Sequence, residues 1–357
     1  MSILSLEQIE TPALLVDLAL LDANIQKMAA YFSKGKAKLR PHFKTHKCPA
    51  IAHMQIAAGA KGITCAKLGE AEVLAASGIN DILIANQIVD PIKIDRLMGL
   101  ANNTRITVCV DNAENVDALS RAAAAYDATI YVLIELEVGM ERCGVDTKEE
   151  ALALAERIRG AKGLVFEGIQ AYAGQLSHEV DHEVRVRGIE CAEAKVLAVQ
   201  TYLEANGLQV KEISGAGTGT YNISGTHAIW TEIQAGSYVF MDSDYDRLTL
   251  GFENSLSVLT TVIHKRPGFA ITDAGLKVCC QEKGVPVIKA HPSLSVMYLS
   301  EEHGKISDES DELRYLQRLE YIPSHCCSTV NLHEHYYGVR NGLLEVVWPV
   351  SARGKSR

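Results

Sequence analysis

The chain has 357 residues, of which 47% are hydrophobic and 22% are charged, and its formal net charge is −9. This composition excludes disordered, fibrous and disulfide-stapled proteins, and the length predicts either one large barrel or two domains. The excess of acidic residues leaves no basic stripe for a phosphate backbone, so we expect a small-molecule ligand and no nucleic-acid partner.

The N-terminal residues and the cysteines indicate the compartment. Residues 1–10 lack the basic stretch and the apolar run of a secretory signal. No uncharged segment approaches the roughly 18 residues that a membrane span needs. The nine cysteines are an odd number without the spacing of a disulfide framework. We therefore expect a cytoplasmic protein with free thiols and no membrane partner.

The first two thirds of the chain alternate short β-branched runs with amphipathic or Ala-rich stretches, the pattern of repeated βα units. Eight strands, each followed by a helix, predict a (β/α)8 barrel, and a doubly wound open sheet is the alternative. The predicted strands are 38–43, 61–65, 81–85, 105–111, 129–136, 165–172, 209–214 and 232–238. The predicted helices are 22–32, 68–76, 115–125, 148–159 and 190–205.

From residue 250 onward the pattern changes to runs with period two, which is typical of an all-β domain. The dipeptide Asn341-Gly342 predicts a type I′ turn in the last hairpin. The acidic residues 301–312 predict a solvated loop. The predicted strands of this region are 257–262, 285–288, 294–299 and 343–347.

The predicted fold is therefore α/β, a (β/α)8 barrel with a C-terminal all-β domain. The barrel is assigned to 18–249 and the β domain to 250–357. The run 13–17 is expected to join the β domain rather than the barrel, so the N-terminal strand segment 1–17 belongs with 250–357.

Two glycine-containing loops predict an anion site at the carboxyl ends of the barrel strands, where the functional loops of such barrels lie. The loop 214–220 after the seventh strand can direct several backbone N–H groups toward an anion, and Gly236 and Ser237 follow the eighth strand beside it. The alternative is that these glycines only form tight turns. A dinucleotide fingerprint is disfavoured because the third glycine at the required spacing is missing.

Lys44 follows the first predicted strand and is flanked by His42 and His46, which we expect on the same pleat face. A cationic neighbourhood favours the neutral amine, which can attack a carbonyl to form a Schiff base. The alternative is a surface Lys-His run. A phosphate loop and a reactive lysine together indicate pyridoxal phosphate, whose ring would span from the loop after strand seven to strand one.

The tripeptide 325–327 (HCC) predicts part of a metal site. In an extended segment His325 and Cys327 point the same way, which suits two ligands of one divalent metal. The alternative is that the thiols are simply buried, as expected for Cys279 and Cys280. His303 is a further possible ligand in an exposed loop.

These motifs, in this order, resemble those of the D-threonine aldolase and 3-hydroxy-D-aspartate aldolase family, pyridoxal phosphate enzymes with the alanine-racemase-like fold. The likeness spans nearly the whole chain. The motifs that carry it include 40–47 (RPHFKTHK), 142–145 (RCGV), 217–219 (GTG), 236–242 (GSYVFMD), 273–277 (DAGLK) and 325–331 (HCCSTVN).

The resemblance implies roles for single residues. Lys44 would form the Schiff base, and Arg142 would contact the polar edge of the cofactor ring. Tyr172, next to the cofactor, and His178 would face the substrate, and either His178 or a metal-bound water would be the catalytic base. It also implies a homodimer. The remaining implied cofactor-binding residues are Thr218, Gly219, Gly236, Ser237 and Tyr245.

The chain departs from the family at two positions. The family's metal pair is His-x-Asp, which falls on His325 and Cys327, so that a thiol replaces the carboxylate. A His-x-Cys pair resembles the related D-serine dehydratases, and a thiolate favours zinc over manganese or magnesium. Ala66 stands where aldolase relatives carry a glutamine beside the cofactor.

The resemblance predicts cleavage of a D-3-hydroxyamino acid, of the D-threonine or 3-hydroxy-D-aspartate type, to glycine and an aldehyde. The divalent metal (Mn, Mg or Zn) would acidify the 3-hydroxyl group, and the cofactor would accept the electron pair. The alternative is a zinc-dependent dehydratase that uses the same residues to give ammonia and a keto acid. A non-catalytic pyridoxal phosphate carrier is a third hypothesis.

Overall fold

The structure, a computed structural model, describes residues 4–357, so residues 1–3 of the predicted N-terminal segment lie outside it. Contacts between Cα atoms divide the chain into two compact units. These units are not continuous in sequence, so they do not test the predicted domain boundaries. The ranges 18–249 and 250–357 stay a prediction. The barrel unit comprises Met28–Lys44, Ile51–Gly236 and Lys355–Arg357, and the β unit comprises 4–27, Thr45–Ala50 and Ser237–Gly354.

The strands of the described residues are, in chain order, β1 (Ala13–Asp17), β2 (Lys38–Leu39), β3 (Ile63–Cys65), β4 (Asp81–Gln87), β5 (Arg105–Val110), β6 (Ile130–Glu135), β7 (Leu164–Ala171), β8 (Glu212–Gly215), β9 (Glu232–Ile233), β10 (Leu256–Arg266), β11 (Gly268–Thr272), β12 (Val287–Ile288), β13 (Ser295–Leu299), β14 (Gly304–Asp308), β15 (Arg318–Ile322), β16 (His335–Arg340) and β17 (Leu343–Pro349).

The α-helices are α1 (Leu18–Ser33), α2 (Pro49–Ala57), α3 (Leu68–Ala76), α4 (Pro91–Ala101), α5 (Ala113–Tyr126), α6 (Lys148–Gly160), α7 (His182–Ala205), α8 (Tyr221–Ser224), α9 (Ser243–Asp246) and α10 (Cys326–Val330). Short 3-10 segments lie at Leu6–Gln8, Phe43–Thr45, Gly174–Leu176 and Ser237–Val239. Within residues 4–357, no helix is both long and apolar enough to cross a bilayer.

The barrel unit is built on an eight-stranded parallel sheet in the order β2-β9-β8-β7-β6-β5-β4-β3. Its two ends are joined by hydrogen bonds from Lys61 N to Leu39 O and from Thr64 N to Pro41 O, both 2.8 Å long. A parallel bridge between His42 and Thr64 continues this pairing. The closed sheet confirms the predicted (β/α)8 barrel and excludes the open doubly wound sheet.

A side-chain cap fixes the start of the longest helix around the barrel, α7. The predicted helix 68–76 has the bounds of α3, whereas α7 starts at His182, eight residues before its predicted start. Asp181 caps α7 by accepting hydrogen bonds from Glu183 N and Val184 N, which satisfies main-chain donors of the first turn. In the first turns of α7, Val184 and Val186 are two residues apart, which is not the three- and four-residue spacing on which the prediction depended.

A buried charge cluster lies where the barrel strands begin. Arg40 donates to Glu232 at 2.8 Å and to Asp81 at 2.9 Å, and Lys61 lies 3.2 Å from Glu232. Only 4% of Arg40 and 2% of Glu232 are exposed. Burial alone would raise the pKa of Glu232, but the charges of Arg40 and Lys61 outweigh it and hold the pKa below its usual range.

The β unit contains a nine-stranded mixed sheet with the path β13-β14-β11-β10-β1-β16-β17, from which β15 and β12 branch off at β10. Strand β1 pairs antiparallel with β10 and parallel with β16, which confirms that 13–17 joins the all-β domain. In the last hairpin, Asn341 and Gly342 have φ of 51° and 75°. A type I′ turn requires positive φ at both positions, as predicted.

The prediction of a solvated loop over 301–312 is wrong. Residues Gly304–Asp308 form β14, which pairs with both β11 and β13 and buries every second residue. Ile306 supplies the apolar contact, and the buried carboxylate of Asp308 accepts hydrogen bonds from the main chain of Glu312 and Leu313. Acidic composition did not exclude a strand because Asp308 has these partners.

We predict that Glu232→Gln lowers the free energy of unfolding by about 3 kcal/mol, because it leaves the buried Arg40 short of a counter-charge. The matched control is Glu72→Gln. It removes the carboxylate from a partly exposed ion pair between Glu72 of α3 and Arg96 of α4. The control should cost at most about 1 kcal/mol. Urea denaturation at neutral pH measures both, and equal effects would contradict the assignment of a buried cluster.

Candidate active site

Lys44 lies in the 3-10 turn Phe43–Thr45 that follows β2, with its side chain exposed. Its Nζ atom is 5.7 Å from the centroid of the Tyr172 ring, and its main-chain N donates to Nδ1 of His42 at 3.4 Å. The prediction that His42 and His46 share a pleat face with Lys44 is wrong, because β2 ends at Leu39 and the chain then turns. Among the predicted site residues, Tyr172 has its ring near the amine of Lys44.

Tyr172 directly follows β7 and links the lysine to the glycine-rich loop. Its hydroxyl is 3.2 Å from Oγ of Ser177. A Cβ atom at Gly217 would lie 3.5 Å from the Tyr172 ring, so the loop passes alongside the ring. The barrel unit thus brings together Lys44, Tyr172 and the predicted anion loop.

The loop after β8 packs main chain against main chain. A Cβ atom at Gly219 would overlap the carbonyl oxygen of Ser177, so a glycine is required there. The loop is braced internally, since Gly217 N donates to Oγ1 of Thr220 at 3.1 Å. Thr218 is buried between these glycines, with 2% of its surface exposed. The packing therefore fixes the path of the loop.

His178 follows Ser177 in the chain and is half-buried. Ser177 contacts both Tyr172 and Gly219, so the main chain leading to His178 is fixed by the two loops it joins. Sequence reasoning missed Ser177, because a serine in a turn carries no signal for such a contact. The role of His178 as a base stays a prediction.

Arg142 lies on the loop between β6 and α6, with its side chain exposed. This loop winds around the carboxylate of Glu137, which accepts hydrogen bonds from the main chain of Gly139 and, at 3.3 Å, of Arg142. Partial burial would raise the pKa of Glu137, but these N–H groups hold it below its usual range. The contact of Arg142 with a cofactor ring stays a prediction.

Three further predicted cofactor residues follow β9. Gly236 is buried and is the last residue of its segment of the barrel unit. In the β unit, Ser237 begins a 3-10 turn, and its Oγ is 3.9 Å from Sγ of Cys327. Tyr245 is buried in α9, and its main-chain N donates to Asp242 at 2.9 Å. The predicted cofactor residues are therefore divided between the two units.

His325 and Cys327 lie at the start of the short helix α10, and the extended segment predicted for them is wrong. The imidazole nevertheless interacts with Cys327 as well as with Asp242. Burial would lower the pKa of His325, but hydrogen bonds to Asp242 and Cys327 outweigh it and raise the pKa to about 11. The thiol of Cys327 also donates to Oγ1 of Thr45 at 3.4 Å.

Asp242 completes a cluster that sequence reasoning missed. Ligand atoms of Asp242, His325 and Cys326 all lie within 4.8 Å of one another. Carboxylate, imidazole and thiolate groups are ligands that bind zinc in proteins. Asp242 ends the motif 236–242 and precedes a short helix, but it lies 83 residues from His325, and this distance along the chain concealed the pairing.

The other predicted cysteines and histidines take structural positions. Cys280 donates its S–H to the carbonyl oxygen of His325 at 3.1 Å, and Cys279 is buried, which raises the pKa of its thiol. His303 is exposed in the turn before β14, where its carbonyl oxygen accepts from Ser300 N.

Comparison with known proteins gives matches over the whole chain. The alanine racemase N-terminal domain family matches residues 16–244, and a putative serine dehydratase domain matches 255–339. A D-threonine aldolase of Arthrobacter sp. is 42% identical, covering 99% of this chain and 95% of that protein. A 3-hydroxy-D-aspartate aldolase of Paracoccus denitrificans (strain Pd 1222) is 39% identical, covering 98% and 93%.

The solved structures agree with these matches. The crystal structure of D-threonine aldolase from Filomicrobium marinum superposes with a TM-score of 0.97 at 38% identity, covering 99% of this chain and 98% of that one. Dehydratases that match this chain are more distant, at 28% identity or less. The chain therefore belongs to the family of D-threonine aldolases and 3-hydroxy-D-aspartate aldolases with the alanine-racemase-like fold.

Proposed function

We propose that this protein is an aldolase that cleaves the Cα–Cβ bond of D-3-hydroxyamino acids, of the D-threonine or 3-hydroxy-D-aspartate type, to glycine and an aldehyde. The observation that carries the proposal is the amine of Lys44 lying 5.7 Å from the Tyr172 ring, which itself borders the glycine-rich loop. This arrangement occurs in a chain 42% identical to a D-threonine aldolase.

Pyridoxal phosphate fits the residues around Lys44. The exposed amine can bind an aldehyde covalently, and the loop at 217–219 presents main chain where a side chain at Gly219 would overlap Ser177. When bound, the cofactor supplies the acceptor for the electron pair released by bond cleavage. The residues proposed to hold it are Lys44, Arg142, Tyr172, Thr218, Gly219, Gly236, Ser237 and Tyr245.

A divalent metal fits His325 and Cys327. Imidazole and thiolate are ligands that zinc prefers, whereas manganese and magnesium favour oxygen donors, so we propose zinc. The metal, when bound, would acidify the 3-hydroxyl group of the substrate.

The protein side chains then handle protons and orientation. His178 would take the proton that leaves the 3-hydroxyl oxygen, as a base held on the loop that Ser177 fixes. Tyr172 would orient the reacting group beside Lys44. The Cα–Cβ bond breaks, the former hydroxyl carbon leaves as an aldehyde, and a proton returned to Cα gives glycine.

A second candidate is a dehydratase, which the thiol at position 327 favours because a His-x-Cys pair resembles the D-serine dehydratases. In that reaction Lys44 would remove the α-proton, the 3-hydroxyl group would leave, and ammonia and a keto acid would result. The greater distance of the dehydratase relatives supports the aldolase as the main proposal.

The absence of disulfides and the family likeness support two further proposals. Within residues 4–357 no disulfide joins any of the nine cysteines, which suits a reducing compartment, and we propose a cytoplasmic enzyme. We also propose a homodimer, on the likeness to the family.

The two reactions give different products from the same substrates. We expect the loaded enzyme to convert D-threonine or D-3-hydroxyaspartate to glycine and an aldehyde in equal amounts. D-Serine is assayed as a third substrate. Lys44→Ala should give no product. Ammonia and keto acid as the sole products would contradict the aldolase proposal.

Alanine substitutions at two glycines test whether the loop 217–219, the proposed cofactor cradle, holds the cofactor. Gly219→Ala should weaken pyridoxal phosphate binding at least about tenfold, roughly 1.4 kcal/mol, because its Cβ overlaps Ser177 and displaces the loop. Gly217→Ala is the matched control, since its Cβ makes an ordinary 3.5 Å contact. Titration of cofactor-free enzyme measures both, and circular dichroism verifies the fold. Equal binding by the two variants would contradict the cradle.

Metal preference tests the role of the thiol. A chelator should abolish activity, and zinc should restore it at lower free concentration than manganese does, because a thiolate favours zinc. Cys327→Asp should shift the preference toward manganese, whereas Cys191→Ser, at an exposed cysteine of α7, should leave it unchanged. A Cys327→Asp enzyme with unaltered preference would remove Cys327 from the proposed ligands.

A further inference from the structure

Asp242 is a fully buried carboxylate whose two oxygens both accept hydrogen bonds. Oδ1 accepts from the main-chain N of Tyr245 at 2.9 Å. Oδ2 accepts from the main-chain N of Cys326 at 3.0 Å and lies 3.0 Å from Nδ1 of His325. The side chain therefore joins the start of α9 to the start of α10 and holds an imidazole between them.

We propose that Asp242 is a positioning residue: it orients the His325 ring for a metal ion without binding the metal itself. This inference rests on the proposed function, in which His325 is a metal ligand. A carboxylate on Nδ1 fixes the orientation and tautomer of the ring, so that Nε2 is the nitrogen that takes the metal. Carboxylate partners of this kind commonly support metal-bound histidines.

Direct ligation by Asp242 would disturb the fold around it. Its Oδ2 atom already has two partners, Cys326 N and Nδ1 of His325, and a metal on that oxygen would compete with them, while Oδ1 accepts from Tyr245 N. Buried N–H groups that lose their acceptor cost free energy. The hydrogen bonds already made therefore favour the supporting role.

The same reasoning distinguishes the two cysteines. Cys326 has no exposed surface, whereas Cys327 is partly exposed and lies near two hydroxyl groups, at 3.9 Å from Ser237 and 3.4 Å from Thr45. A metal that also contacts a substrate must keep an open coordination position. We therefore assign Cys327 as the thiolate ligand and Cys326 as part of the packing.

The test compares Asp242→Asn with Asp246→Asn. In Asp242→Asn, the new amide nitrogen must face either Tyr245 N or the His325 side, and it replaces an acceptor by a donor in both cases. Asp246 is the last residue of α9, the helix that Asp242 caps, and Asp246→Asn removes the same charge, but its carboxylate accepts a hydrogen bond from Asn254. Zinc affinity, measured by competition with a chromophoric chelator, should fall about 10- to 100-fold in Asp242→Asn and stay unchanged in Asp246→Asn.

Cobalt in place of zinc provides a signature that a folding defect would not mimic. At saturating cobalt, Asp242→Asn should keep the sulfur-to-cobalt charge-transfer band of the wild type, since its ligands are intact. Cys327→Ser should lose the band, and Cys326→Ser should keep it. A folding defect would lower the number of sites, and the stoichiometry of binding measures that number.

Three results would overturn the inference. If Asp242→Asn binds zinc as tightly as the wild type does, the carboxylate does not support the site. Loss of the cobalt band in Cys326→Ser but not in Cys327→Ser would assign Asp242, His325 and Cys326 as the ligands. Either result leaves the proposed aldolase standing, whereas a wild-type enzyme that binds no divalent metal would overturn both proposals.

Discussion

Closure of the parallel sheet by hydrogen bonds between 39–42 and 61–64 is the constraint on which the barrel unit depends. It holds the chain immediately before Lys44. Because β7 and β8 are neighbours in the closed sheet, the loops that follow them meet, and Ser177 contacts both Tyr172 and Gly219. The amine and the glycine-rich loop come together because the strands that carry them end at one face of the barrel.

In the β unit, one buried carboxylate has a comparable organising role. Asp242 satisfies main-chain donors of α9 and α10 and contacts the imidazole of His325. The group that stabilises two helix starts therefore also orients a proposed metal ligand. In the proposed metal site the thiol of Cys327 would set the metal preference and Asp242 the ring orientation of His325, so the two properties would be separable.

Much of the barrel could be predicted because strands buried on both faces read as continuous apolar runs, and the helices between them are amphipathic. The residue types also indicated a reactive amine at Lys44 and an anion-binding loop at 217–219. The pleat argument for His42 and His46 failed because it assumed that β2 continues past Leu39. Sequence periodicity cannot detect a strand that ends early in a turn.

The sequence by itself determined the alternation of strands and helices in the barrel, the hairpin at Asn341-Gly342 and the chemical types at the site, because these follow from local backbone preference and side-chain chemistry. Only the tertiary structure decided that Asp242 contacts His325 and that Ser177 lies against Gly219. These pairs are distant along the chain, and their contacts arise from packing, which no local pattern in a single sequence encodes.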